Sequence, residues 1–252
     1  MSILNKESLS KECLSKECLN NGWLNKDRIS DAAIGSYRQS LLASCPNHVV
    51  IDQLFNAAKL EVVLADLRQP HGWQTQKHTY SALYVDNSQW QKTARAQRFV
   101  HRDVWQRGPV SREDENDKLA LEFLLYLRSE EFLTLLSRIF QVQLTDLNLN
   151  KPDINTNYFR LGANDFIGQH ADDSPGREVC LLLYLNKAWH EAAGGELVFM
   201  GQNEATTSVA PLFNRCVLFD PSSTGSEHWV KALNPAYADQ YRFNVTSWYW
   251  SE

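Results

Sequence analysis

The chain has 252 residues, of which 43% are hydrophobic, and it carries a formal net charge of −5 at pH 7. This length and apolar content fit one large domain, or one domain with a helical extension. The net negative charge and a pI near 5.8 disfavour an electrostatic grip on nucleic acid or on anionic lipid.

The cysteine content indicates the cellular compartment. Five cysteines, an odd number without a CxxC pair, favour a reducing environment over a disulfide framework. The N-terminal segment lacks the apolar run of a signal peptide or anchor, and no later segment has about 18 unbroken apolar residues. We therefore expect a cytoplasmic protein with neither a membrane nor a nucleic-acid partner.

The first segment, residues 1–27, repeats loosely with a period of five, and "LSKEC" occurs twice in tandem. Five residues turn an α-helix through about 500°, so the repeated leucines do not form one stripe. We expect a low-complexity, flexible tail here. A single domain is expected over residues 45–252.

Helices are predicted in the first part of this domain. The apolar spacing is largely helical over 53–68, and 118–141 is typical of one or two amphipathic helices broken near Ser129. Between them, the segment 71–112 is rich in Trp and Gln and has no clear period. We expect residues 50–141 to form a mainly helical support.

From about residue 142 the pattern becomes that of strands. The run "VCLLLYLN" (179–186) is continuously apolar, as in a strand buried on both faces. Short apolar segments punctuated by Gly, Pro, Asn and Ser follow, which favours an all-β sandwich or barrel over about 142–250. The sequence has no Gly-rich phosphate loop and no GxSxG, so nucleotide-binding and serine-hydrolase functions lose support.

The stretch "FIGQHADDSPG" (166–176) contains a candidate half of a metal site. On an extended chain His170 and Asp172 point to the same side, whereas Asp173 points away. Two histidines and one carboxylate can bind Fe(II) and leave positions open for oxygen chemistry. An HxD motif alone is weak evidence for a metal site, because it occurs by chance in many proteins, and a polar surface turn is the usual explanation.

A second histidine must come from a later segment. His190 lies in the polar turn "NKAWHEAAGG", where an exposed histidine is the usual explanation. His228 follows the apolar strand "CVLFD" and begins an alternating segment, so it is the better candidate.

The last predicted strand, "YRFNVTSWYW", contains a candidate anion site. Arg242 shares one strand face with Thr246 and Trp248. A buried guanidinium needs an anionic partner, and its fork suits a carboxylate such as the far end of 2-oxoglutarate. A surface salt bridge is the alternative explanation for this arginine.

Residues 140–250 resemble the iron(II)/2-oxoglutarate dioxygenases of the prolyl-hydroxylase type, including the hypoxia-factor prolyl hydroxylases and their bacterial relatives. The matching pieces follow in order: "FIGQHADD", "LLYLNKAWHEAAGGELVF", "APLFNRCVLFD", "EHWV" and "NPAYADQYRFNVTSWYW". The resemblance implies a mainly β fold with α-helices, namely a double-stranded β-helix (jelly roll) core with N-terminal supporting helices. It also makes 71–112 the variable wall over the metal.

The resemblance also implies roles for individual residues. His170, Asp172 and His228 would be the metal ligands. Arg242 and Tyr184 would contact the 2-oxoglutarate carboxylate, and Thr246 would line its pocket. Trp248 would pack beside the co-substrate, with a core tryptophan as an equal explanation. Tyr158 would match only with two extra residues in the loop "GAND", and Arg177 would lie near the substrate entrance.

The implied activity is hydroxylation of an unactivated C–H bond with Fe(II), 2-oxoglutarate and O2, supported by ascorbate. The expected substrate is a prolyl residue in a protein or peptide, and a free amino acid or another small metabolite is the alternative. A non-catalytic binding domain that retains the fold is a rival of another class. A zinc hydrolase would leave Arg242 and Tyr184 without a role. The sequence predicts no oligomeric state.

Overall fold

A computed structural model describes residues 22–107, 115–145 and 155–251. Most of the predicted tail, and residues 108–112 of the Trp- and Gln-rich segment, lie outside these ranges. Trp23, near the end of the segment expected to be a tail, is buried, and its ring centroid lies 4.7 Å from that of Phe123. The packed part of the chain therefore begins before residue 27.

The described residues form helices on one side and antiparallel strands on the other. The helices are α1 (Asp31–Ala43), α2 (Ala57–Leu67), α3 (Asn87–Lys92), α4 (Glu115–Tyr126) and α5 (Glu130–Phe140). The strands are β1 (His48–Asp52), β2 (Trp73–Thr79), β3 (Arg98–Trp105), β4 (Thr156–Leu161), β5 (Phe166–Ile167), β6 (Arg177–Tyr184), β7 (Leu197–Phe199), β8 (Thr207–Val209), β9 (Arg215–Phe219), β10 (His228–Val230) and β11 (Arg242–Trp250).

The strands form a large and a small antiparallel sheet. The large sheet has the order β1-β9-β6-β11-β4-β3-β2, with β5 paired to β3, and the small sheet has the order β10-β7-β8. The sequence-based prediction of a mainly β fold with a jelly-roll core and supporting helices is confirmed.

The expected helical support over 50–141 is wrong in its middle part. Residues 73–105 contribute β2 and β3, which extend the large sheet beyond β4. The sequence of β2, "WQTQKHT", lacks the apolar alternation of a half-buried strand because β2 lies at the sheet edge. The predicted helix break near Ser129 is confirmed, since this hydroxyl caps α5 by accepting from the Phe132 N–H at 3.3 Å.

Strand β6 separates two apolar layers, as the continuous apolar run predicted. Val179, Leu181 and Leu183 pack in the cluster that the helices cover, whereas Cys180 and Tyr184 pack toward the small sheet. Full burial of each such side chain stabilises the fold by about 1.5–3 kcal/mol. The space between the two sheets is therefore where inward-facing polar side chains of β6 and β11 meet. None of the helices in the described part of the chain is long and apolar enough to span a bilayer.

Candidate metal and co-substrate site

The two sheets bring together the residues that the sequence singled out. His228 begins β10, and His170 forms an isolated antiparallel bridge with it. The His170 N–H donates to the His228 carbonyl at 3.0 Å, and the His228 N–H donates back at 2.9 Å. This pairing holds the imidazoles with their ring centroids 4.4 Å apart, and Asp172 follows two residues after His170.

Three donor atoms converge on one point. Nε2 of His170 lies 3.7 Å from Oδ1 of Asp172, and Nε2 of His228 lies 3.8 Å from Oδ2. Nδ1 of each histidine lies 2.9 Å from a backbone carbonyl, that of Gly168 or Ser226. A carbonyl can only accept, so Nδ1 carries the proton and the Nε2 lone pair faces the carboxylate. This is the arrangement that binds a divalent cation.

The electrostatics of the cluster also favour a cation. Burial lowers the pKa of His228 to about 4, so its imidazole is neutral and free to ligate at neutral pH. Burial raises the pKa of Asp172, but the two histidines and a hydrogen bond from Trp248 outweigh it, and the net pKa is lowered. The cluster therefore presents the Asp172 carboxylate beside the neutral imidazole of His228.

The carboxylate of Asp172 is held in place by its neighbours. The indole Nε1 of Trp248 donates to Oδ2 at 2.9 Å, and the Arg177 guanidinium donates to the backbone carbonyl of Asp172. A fixed carboxylate is what a metal ligand requires, so Trp248 would orient the candidate ligand Asp172 as well as line the cavity. Sequence reasoning placed Trp248 only beside the co-substrate. Trp248 lies 76 residues after Asp172, so no local sequence pattern indicates this contact.

The other sequence candidates for ligands lie elsewhere. His190 is exposed, where it caps a short 3₁₀ turn through the Ala192 N–H and stacks on Tyr237 with ring centroids 5.7 Å apart. Asp173 is exposed and is not part of the cluster.

Arg242 is buried beside the cluster, with 1% of its surface exposed. Its Nε donates to the Gly195 carbonyl at 2.7 Å, and its Nη1 donates to Asn244 Oδ1 at 2.9 Å. No carboxylate of a described residue lies within 4.0 Å of the guanidinium. Burial lowers the pKa of Arg242, yet a guanidinium stays protonated, so the site holds a cation that lacks an anion.

The "GGEL" motif positions this arginine. Gly195 has a φ of +77°, and a Cβ there would lie 3.1 Å from Cδ of Arg242 and 2.9 Å from Cδ2 of Leu233. Glycine is therefore needed both for the backbone conformation and for the close approach of the arginine stem.

Tyr184 is a second polar side chain buried next to Arg242. It lies opposite Asn244 in the β6–β11 register, and the Arg242 guanidinium sits 4.9 Å from its ring centroid. Burial raises the pKa of Tyr184 to about 12, so the hydroxyl is protonated at neutral pH. This buried hydroxyl makes no hydrogen bond of good geometry with a described residue and lies against the Arg242 guanidinium, so it can still donate to a ligand oxygen.

A cavity of about 40 Å³ joins the metal cluster to the buried arginine. Its polar lining residues are Arg102, His170, Asp172, His228, Arg242, Asn244, Thr246 and Trp248. The Asn244 amide donates to the Thr246 hydroxyl at 2.9 Å, so these two residues form a fixed polar wall. The residues present thus fit a metal ion at the His170, Asp172 and His228 cluster and a carboxylate group at Arg242.

The role predicted for Tyr158 needs correction. Tyr158 lies opposite Val245 in the β4–β11 register, on the sheet face that the helices cover. Its hydroxyl donates to the Ala120 carbonyl at 2.8 Å, which ties β4 to α4. Strand alternation turns it away from Asn244 and Thr246, so it does not line the pocket.

A larger cavity of about 360 Å³ opens over the cluster. It is lined by His170, Asp172, Arg177 and Trp248 from the core, and by His78, Tyr84 and Arg102 from the Trp- and Gln-rich segment. Arg102, His170, Asp172 and Trp248 line both cavities. Sequence reasoning missed His78 and Arg102, because the mixed polar sequences of β2 and β3 carry no clear period that would show which face their side chains occupy.

Residues 156–250 match the model of the 2OG-Fe(II) oxygenase superfamily. The predicted resemblance is confirmed by this match, and so is the prediction of a 2-oxoglutarate-dependent oxygenase. Fe(II), 2-oxoglutarate and O2 are the cofactor and co-substrates that the superfamily implies. No curated protein matches the sequence.

Solved structures share the fold. A prolyl-4-hydroxylase from Pseudomonas putida is 16% identical, with a TM-score of 0.57 over 87% of this chain and 99% of that one. A prolyl hydroxylase from Trichoplax adhaerens, in complex with a hypoxia inducible factor peptide fragment, is 16% identical, with a TM-score of 0.58 over 98% of this chain and 94% of that one.

A third similar structure has a different activity. The α-ketoglutarate-dependent epimerase SnoN from nogalamycin biosynthesis is 9% identical, with a TM-score of 0.54 over 88% of this chain and 82% of that one. The fold therefore does not decide the reaction or its substrate.

Proposed function

We propose that the protein is an Fe(II)- and 2-oxoglutarate-dependent dioxygenase that hydroxylates an unactivated C–H bond of a prolyl residue in a protein or peptide. The observation that carries the proposal is one cavity that joins the His170, Asp172 and His228 cluster to the buried cation of Arg242. A metal centre and a carboxylate anchor in one cavity are what a keto-acid co-substrate requires.

In this proposal the chain's own residues divide the work of binding. His170, Asp172 and His228 hold the iron, and Trp248 fixes the carboxylate of Asp172. Arg242 and Tyr184 hold the far carboxylate of 2-oxoglutarate, and Thr246 lines its path. When bound, the iron would supply oxygen activation coupled to oxidative decarboxylation of 2-oxoglutarate. The protein supplies the binding and orientation of the reacting groups. The apolar layer beneath β6 keeps water from this cavity.

The prolyl substrate is supported by similarity to prolyl hydroxylases, one of which is solved with a bound peptide. A free amino acid or another small metabolite is the second candidate, because the outer cavity of about 360 Å³ suits a small ligand. Arg177 borders that cavity and would contact the substrate. Ascorbate would support turnover by keeping the iron reduced. The odd cysteine count, with Cys45, Cys180 and Cys216 free, supports a cytoplasmic location.

Succinate formation tests the reaction class. Purified protein with Fe(II), ascorbate and 2-oxoglutarate is expected to release succinate slowly without a prime substrate. Release is expected to be faster with a peptide or amino acid that is a substrate. Mass spectrometry identifies such a substrate by its gain of one oxygen during the reaction. Absence of both succinate and 2-oxoglutarate binding would favour a non-catalytic binding domain and refute the proposal.

A further inference from the structure

The outer cavity over the candidate metal cluster contains several buried N–H donors that no group of the described residues satisfies. They lie on the wall that β2 and β3 contribute and on the start of β6. Among the described lining residues, Asp172 is the only carboxylate, and it is committed to the metal cluster. The arginines of this cavity therefore have no uncommitted carboxylate among the described lining residues.

Arg102 is the central member of this set. It lies on β3, and its guanidinium stacks on the Phe159 ring at 3.5 Å from the centroid. Its Nε is buried without a hydrogen-bond partner, and no described carboxylate lies within ion-pair distance. Gln76, directly opposite in the β2–β3 register, does not satisfy it either. Burial lowers the pKa of Arg102 to about 10, which leaves it a cation at neutral pH.

His78 adds a neutral donor on the same wall. The Tyr84 N–H donates to its Nδ1 at 3.3 Å, so the ring proton sits on Nε2. That Nε2 is buried and has no acceptor. Burial lowers the pKa of His78 to about 4, so at neutral pH the ring is uncharged and offers an N–H donor without a positive charge.

Arg177 completes the set from the opposite side. Its Nη1 is used by the backbone carbonyl of Asp172, and its Nε is buried without a partner. Its guanidinium lies 4.9 Å from the Trp250 ring centroid and 5.5 Å from that of Trp248, which holds it at the cavity edge. Three buried donors that face one cavity without acceptors fit an anionic, oxygen-rich group.

We infer that the outer cavity binds a free carboxylate of the prime substrate through Arg102, with His78 and Arg177 as supporting donors. The inference rests on the proposed function and narrows its substrate class. The hydroxylated residue carries its own carboxylate, as free proline or a C-terminal prolyl residue does, whereas an internal prolyl residue has an amide at that position.

Binding of matched acid and amide probes tests the inference. The protein is loaded with Mn(II) and 2-oxoglutarate, and calorimetry measures the affinity for L-proline against L-prolinamide, and for the dipeptide Ala-Pro against its C-terminal amide. The acid of each pair is expected to bind at least about tenfold more tightly, as expected for one charge-assisted hydrogen bond. Arg102→Gln is expected to remove that preference. Arg95→Gln, which removes an exposed positive charge outside the cavity, is expected to keep it.

Three results would overturn the inference. One is equal affinity for acid and amide, including no binding of either. Another is a preference that survives in Arg102→Gln. The third is a loss of 2-oxoglutarate affinity in Arg102→Gln as large as the loss of probe affinity, which would assign the arginine to the co-substrate. Succinate release by the wild-type protein is measured separately, so these failures are distinguishable from failure of the proposed reaction.

Discussion

Replacing Arg242 with lysine tests whether this side chain anchors the co-substrate. The guanidinium has five N–H donors, and two of its nitrogens are oriented by the Gly195 carbonyl and the Asn244 amide oxygen. The remaining donors face a cavity in which the described residues place no carboxylate partner. Arg242→Lys keeps the charge but replaces a planar fork with a point charge.

The expected loss follows from the number of hydrogen bonds. A hydrogen bond to a charged group contributes about 1.5–3 kcal/mol, and the lysine forms one such bond where the arginine forms two. The dissociation constant for 2-oxoglutarate should therefore rise roughly 10- to 150-fold. Calorimetric titration of the Mn(II)-loaded protein with 2-oxoglutarate measures this directly.

Arg215→Lys is the matched control. Arg215 is also on the large sheet and also makes a two-bond pair, with its Nε and Nη2 donating to Asp52 at 2.7 and 2.8 Å, but it lies outside the cavity. This variant should bind 2-oxoglutarate like the wild type. An Arg242→Lys affinity within twofold of wild type, in a variant that thermal unfolding shows to be folded, would refute the anchor role.

Three further experiments test the ligand assignment, the positioning of Asp172 and the buried His78. His228→Ala should abolish Fe(II) binding measured by metal analysis, whereas His190→Ala should retain it; the reverse result would contradict the ligand assignment. Trp248→Phe removes the 2.9 Å hydrogen bond to Asp172 and should weaken Fe(II) about 10- to 100-fold, and unchanged affinity would exclude that positioning role. The folded-state pKa of His78 is lowered from 6.5 to about 4, so the unfolded chain binds more protons between these values and acid destabilises the metal-free fold. At 1.36 kcal/mol per pH unit, the loss in free energy of unfolding reaches about 3 kcal/mol at pH 4. In urea unfolding, His78→Phe should therefore lose less stability than the wild type as the pH falls. Identical pH profiles for the two proteins would contradict this role of His78.

The sequence by itself determined the components of the core and of the candidate metal site. The continuous apolar run over 179–186 indicates a strand buried on both faces, because only such a strand lacks a solvated side. The HxD spacing places His170 and Asp172 on one side of an extended chain. Arg242 and Thr246 share a face because strand side chains alternate with a period of two. These are local properties, and local spacing is sufficient to predict them.

Only the tertiary structure decided which side chains meet across distant segments. The histidine pair depends on a backbone bridge between His170 and His228, and the Asp172 carboxylate depends on an indole 76 positions away along the chain. Tyr158 was misplaced because its face is set by the register of β4 against β11, which no local pattern encodes. His78 and Arg102 face the outer cavity because β2 and β3 extend the large sheet next to the candidate metal cluster. Pairing between strands is a long-range contact, so its register, and the cavity it encloses, follow from packing rather than from sequence spacing.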